Sequence, residues 1–170
     1  MITLFLKYRV GKLLKSFVRK KIFREYEAIK RITILFEIED FDKVVDFVDL
    51  LEADGKDVTA FSYDTKNHIF SELPANYTIW NKTKMTIWGM PNSVDIKLFK
   101  DTEADTLIDL TYHTLPIYNF LFLNSSADFR VGFDNENSAL YDLLIERNRA
   151  QDFSFFVEQL LFYMKSLRSK

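Results

Sequence analysis

Cysteine is absent from this chain, and with it disulfides, zinc–thiolate sites, iron–sulfur clusters and thiol nucleophiles. Four glycines and three prolines in 170 residues exclude collagen-like and Gly/Pro-rich disordered classes. They also leave little from which to build a phosphate-cradling loop. Two histidines, His68 and His113, are too few for a histidine-based metal centre, so neither a metal nor a cofactor is expected. No G-x-S-x-G nucleophile turn and no P-loop occur. Before residue 32 the longest uncharged run is six residues, MITLFL, against about 20 for a membrane span, and charges also break up any signal-peptide core. On that reading the chain is cytoplasmic.

What is present is a core. The chain is 48% hydrophobic and 28% charged, with seventeen phenylalanines, which fits one globular domain. At this size, folding buries about 70% of the extended chain's surface, enough to need no covalent staple.

The net charge of −2 hides an asymmetry. Residues 1–31 hold ten Lys/Arg against Glu25 and Glu27, a balance of +8; residues 32–170 therefore carry −10. The basic arm has helical periodicity: Leu6, Val10, Leu13, Leu14 and Phe17 share one face, Lys12, Lys15 and Arg19 lie opposite, and Arg9 and Lys20 stand at the boundary. Its apolar stripe must be covered by its own acidic body, by a second subunit or partner protein, or by an anionic membrane. Nucleic acid is the least supported partner, because no recognition motif accompanies the basic residues and the body would repel a phosphate backbone. Leu6, Val10, Leu13, Phe17, Lys12, Lys15, Arg19 and Lys20 are the candidate contact residues.

From Ile32 onward, apolar runs alternate with helical patterns. Strands are expected at 32–38, 57–63, 105–110, 128–133 and 140–145, with a short one at 95–99. Helices are expected at 41–54, stopped by Gly55, at 114–124 and at 152–168. The stretch 64–94 has no regular pattern. The arrangement reads as α/β: three layers around a mainly parallel sheet, Rossmann-like or flavodoxin-like, with the arm (1–31) as an N-terminal amphipathic helix ahead of one domain (32–170).

Five segments in order, Met85–Pro91, Thr106–Leu110, Ala127–Gly132, Tyr141–Ile145 and Phe156–Gln159, resemble an uncharacterised family of small α/β proteins from Bacteroidetes, a domain of unknown function. The resemblance spans roughly residues 30–168 and implies the fold and a cytoplasmic location, with no activity attached. Ile108-Asp109-Leu110 and Arg130-Val131-Gly132-Phe133 are also similar to the N-terminal domain of heptosyltransferase-like glycosyltransferases. Those enzymes bind their nucleotide sugar mainly in a second domain, so this similarity implies the fold and not the transfer activity.

Ligands of open parallel sheets bind beyond the carboxyl ends of the strands. Glu39, Asp40, Asp64, Thr111, His113 and Arg147 fall there and are the candidate ligand-binding residues. Asp40-Phe41-Asp42 has the form of a phosphatase Asp-x-Asp, but Lys43-Val44 replace the small residues that should follow, and helix capping is the simpler role for Asp40. The turn Glu39–Asp42 carries three negative charges and no glycine, so a dinucleotide pyrophosphate would be repelled there. Trp88 reads as a loop aromatic partly buried under the irregular stretch, with a stacking platform as the alternative. No catalytic residue is assigned. The functional expectation is a non-catalytic interaction protein working through its basic helix; the alternative is a small-molecule-binding or glycosyltransferase-related domain using the strand ends.

Overall fold

In the computed structural model, residues 2–112, 115–133, 138–146 and 152–167 are described. Eleven helices and strands follow in order: α1 (Ile2–Ser16), β1 (Arg31–Leu35), α2 (Phe41–Ala53), β2 (Asp57–Tyr63), β3 (Tyr77–Trp80), α3 (Ser93–Lys100), β4 (Thr106–Asp109), α4 (Pro116–Asn124), β5 (Phe129–Phe133), β6 (Leu143–Ile145) and α5 (Phe153–Ser166). The six strands form one sheet in the order β3-β2-β1-β4-β5-β6, and every pairing is parallel. This is the doubly wound α/β arrangement that the apolar runs predict.

Strand alternation sorts the core into two layers. Ile32, Ile34, Val58, Ala60, Ile108, Phe129, Val131 and Ile145 pack under α2 and α5. Leu35, Phe61 and Leu107 pack on the opposite side, with residues of α1, α3 and α4. Helix α4 explains where α1 must lie. Its sequence, PIYNFLFLN, is apolar all round, and Ile117, Tyr118, Phe120, Leu121, Phe122 and Leu123 are all buried. A helix without a polar face needs cover on both sides. The sheet supplies one cover and α1 the other.

Several expectations are revised. Residues 95–99 belong to helix α3, not to a strand: Asn92 accepts a hydrogen bond from the Asp95 amide (2.9 Å) and donates to the Asp95 carboxylate (2.6 Å), a reciprocal cap that starts a helix. Residues 77–80 form the edge strand β3 inside the stretch that showed no pattern. The first strand ends at Leu35, and the last begins at Leu143 after a short turn of 3-10 helix at Ser138–Leu140.

Gly132 of β5 allows one close contact. A Cβ there would lie 2.5 Å from the Tyr141 ring and 3.2 Å from the Asp109 carbonyl, so only glycine lets Tyr141 reach across and donate to the Asp109 carboxylate (2.7 Å).

Candidate functional site

The winding order reverses between the parallel strands β1 and β4, which puts the crevice of a doubly wound sheet at their carboxyl ends. Among the described residues, the side chains at these strand ends bond to one another and to neighbouring backbone. Asp109 accepts from the Thr111 amide (3.0 Å), the Thr111 hydroxyl (2.8 Å) and Tyr141. Glu37 accepts from the Tyr112 amide (3.1 Å). The Tyr118 hydroxyl lies within hydrogen-bond distance of Ser62 (3.4 Å) and accepts from the Tyr63 amide (3.3 Å); burial first, then the Glu37 charge, raises its pKa.

Directly after β2, Asp64 is a buried carboxylate. It accepts from the backbone amides of Lys66 (2.8 Å) and His68, and pairs with His68 Nδ1 at 2.9 Å. Burial alone would raise its pKa, but those two amides and the imidazole outweigh it and hold the carboxyl below its ordinary value. Lys66 bridges to Glu39 at 3.1 Å, and Glu39 is also lowered, by its own backbone amide first and Lys66 second.

Of the candidate ligand residues, the fold therefore brings Glu39 and Asp64 together through Lys66 and His68, while Thr111 is buried on Asp109. Asp40 stands at the N-cap position of α2 without a side-chain capping bond and lies 3.8 Å from Lys43. His113 and Arg147 lie outside the described residues. His68 was missed because its stretch showed no pattern. The Asp64-x-x-x-His68 spacing after an apolar strand was the available signal. Asp64 fixes the imidazole by Nδ1, and the side chain stands 45% exposed on the surface. Among the described residues, no three His, Cys, Asp or Glu cluster as a metal site.

The arm lies against its own domain. Leu6 and Val10 are buried, and Leu13, Leu14 and Phe17 are half-buried, in the α4 layer. Arg19 pairs with the buried Asp142 carboxylate (2.6 Å) and donates to the carbonyls of Leu140 (3.1 Å) and Asp128. Asp142 also accepts the backbone amides of Ile22 (2.9 Å) and Arg130 (2.8 Å). The Arg130 guanidinium lies between the rings of Phe17 (4.9 Å) and Phe122 (4.8 Å) and donates to the carbonyls of Phe122, Ser125 and Ala127. Burial first, then the Arg19 charge, lowers it to about 10, so it stays charged at neutral pH. Lys12, Lys15 and Lys20 remain exposed.

The opposite face of α1 has no such cover. Leu4 (69% exposed), Phe5 (42%) and Tyr8 (68%) point outward at its amino-terminal end. Phe5 meets Trp88, with ring centroids 5.9 Å apart. Trp88 sits at the tip of a hairpin closed by the Met85–Pro91 bridge; the Thr86 amide donates to the Met90 carbonyl (2.7 Å) and the Gly89 amide to the Thr86 carbonyl (2.9 Å). Gly89 has φ +72°, the left-handed position that a three-residue hairpin loop gives to glycine. This loop pushes Ile87 and Trp88 into solvent at 79% and 60% exposure, so Trp88 is not partly buried as its loop position implied. Beneath the hairpin a cleft of about 370 Å³ opens between Leu6, Met85, Leu115 and Ile117, with Lys82 on its wall.

No helix among the described residues is long and apolar enough to cross a membrane. No curated protein matches the sequence at a significant level. Among solved structures, a mutant O-GlcNAc transferase from Thermobaculum terrenum is similar over 85% of this chain, at 15% identity and a TM-score of 0.43. The chain spans 34% of that enzyme's length. A family pattern described as a family of unknown function, DUF6913, matches residues 3–167. The chain belongs to that family.

Proposed function

We propose that the protein is a non-catalytic interaction module that docks peripherally on an anionic lipid surface through the outer face of α1 and the 85–91 hairpin. One observation carries this reading: five large apolar side chains from two segments (Leu4, Phe5, Tyr8, Ile87 and Trp88) are exposed together, and the charges in their segments are all basic. Lys7, Arg9, Lys12 and Lys15 lie on α1, Lys82 and Lys84 flank the hairpin, and neither 1–24 nor 82–94 contains an acid. Trp and Tyr suit the boundary between headgroups and acyl chains, with an apolar body and a polar tip.

Magnitudes favour a reversible attachment. Each lysine near an anionic leaflet contributes about 1 kcal/mol, and each fully buried large apolar side chain about 1.5–3 kcal/mol. The acidic body opposes approach only within about 10 Å, the screening length at 0.1 M salt. A second groove, between β6 and Phe155 and Tyr163 of α5, is lined by the acidic Glu146, which disfavours an anionic surface there.

Sedimentation with vesicles tests the reading. The protein should pellet with vesicles containing phosphatidylglycerol and not with pure phosphatidylcholine, and 0.5 M salt should weaken the binding. Ile87→Ser with Trp88→Ser should abolish it, and Lys82→Glu with Lys84→Glu should reduce it at least tenfold, all with an unchanged melting temperature. Equal binding to both vesicles overturns the reading, as does no binding to either. So does a concentration-dependent dimer that Trp88→Ser dissociates, which would assign the patch to a second copy of the chain.

A further inference from the structure

The cleft under the hairpin lies beyond the carboxyl ends of β2 and β3, the edge where parallel sheets place their ligands. Its volume of about 370 Å³ falls in the range of small-molecule sites, roughly 300–1,000 Å³. The wall is apolar, made by Leu6 of α1, Met85 of the hairpin, and Leu115 and Ile117 at the start of α4. Among the described residues its polar side chains are few: Tyr63, Thr86 and Lys82. Among the described residues, Lys82 has no ion pair or hydrogen bond through its ammonium, and no carboxylate lines the cleft. A long apolar wall with one unpaired cation is complementary to a flexible hydrocarbon chain ending in an anion. The cleft also adjoins the exposed patch, because Leu6 follows Phe5 and Gly89 follows Trp88 in the chain.

We propose that this cleft binds the hydrocarbon chain of a single-chain anionic amphiphile, with the Lys82 ammonium meeting its carboxylate or phosphate. The proposal rests on the docking reading only for where the ligand comes from, not for the binding itself. Hydrocarbon contact supplies affinity here, and the lysine supplies the choice of head group.

Calorimetric titration of the full chain with monomeric dodecanoate, lysophosphatidylglycerol and dodecyltrimethylammonium tests it. Saturable one-to-one binding of either anion is expected, at least tenfold tighter than the cation. Binding of dodecanoate alone identifies a free fatty acid, and binding of the lysolipid identifies a membrane source. Lys82→Glu should weaken the anion at least tenfold without changing the melting temperature. Met85→Trp, which fills the cleft, should abolish binding. If that variant fails to fold, the methyl resonance of Met85 in the unaltered protein carries the same test, since dodecanoate should shift it. Equal affinity for anion and cation overturns the proposal, as does absence of saturation or an unmoved Met85 resonance. Ile87→Ser with Trp88→Ser should retain dodecanoate while losing vesicles. Dodecanoate binding without vesicle binding would thus sink the docking reading and leave the cleft standing.

Discussion

Leu4 and Leu6 stand two residues apart in one helix, yet Leu4 is 69% exposed and Leu6 only 4%. The inner face of α1 has a partner for everything it offers. Its stripe covers α4, and the chain beyond it is fastened by Arg19 on Asp142 and by Phe17 over Arg130. At its amino-terminal end the outer face also carries large apolar side chains, between the lysines, and their one ring contact among the described residues is that of Phe5 with Trp88. Apolarity alone does not separate Leu4 from Leu6; the presence of a partner does. The strand ends make the same point from the polar side. Asp64 and Asp109 sit where a ligand would, but each is engaged by neighbouring amides and side chains.

Four experiments would break or sharpen that contrast. Asp142→Ala should have the largest effect. It leaves Arg19 without its carboxylate and the Ile22 and Arg130 amides without their acceptor, and losing one member of a buried pair costs about 3–5 kcal/mol. Chemical denaturation should show that loss. Leu6→Ala should cost about 2–4 kcal/mol in the same assay, because it opens a cavity against α4. Gly132→Ala should cost about 1–3 kcal/mol by forcing the Tyr141 ring away from Asp109. Leu4→Ser with Tyr8→Ser should leave stability within about 0.5 kcal/mol while weakening vesicle binding. A stability loss there as large as for Leu6 would erase the distinction between the faces.

Acid titration separates the strand ends from both faces. A carboxyl held below its unfolded pKa stabilises the fold above that pKa, about 3.9 for aspartate, and loses the contribution as pH falls through the native value. Asp64 is such a group, so the unaltered protein should lose stability on acidification below about pH 5 more steeply than Asp64→Asn.

The sheet was largely legible in the sequence. Strands buried on both faces read as short runs rich in apolar and β-branched residues, and β1, β2, β4 and β5 do so. Strand β3 was not legible, because Tyr77–Trp80 is short and no helix separates it from β2. Helix α3 was misread because Asp95–Phe99 alternates like a strand; the Asn92/Asp95 cap was the stronger local signal. The inner stripe of α1 was visible from its period, but what covers it was settled by α4, whose lack of a polar face lies a hundred residues away. The outer patch was invisible to a search for one stripe, since Leu4, Phe5 and Tyr8 fall on the side that periodicity assigns to charge. The hairpin completes that patch through a tertiary contact, Phe5 on Trp88. Glu39, Asp64 and Thr111 do lie beyond strand ends, but their engagement by neighbouring groups was beyond reach of sequence.

The packing of α1 on α4 also orders events in time. Translation delivers residues 2–16 first, whereas α4 at Pro116–Asn124 and the Asp142 anchor emerge more than a hundred residues later. At roughly 5–20 residues per second, that is an interval on the order of ten seconds. Throughout it, Leu6, Val10, Leu13, Leu14 and Phe17 lack α4, the main cover of their stripe, on a segment that carries only positive charge. The nascent protein therefore passes through a stage when both faces of its first helix are sticky, and only completion of the sheet hides one of them.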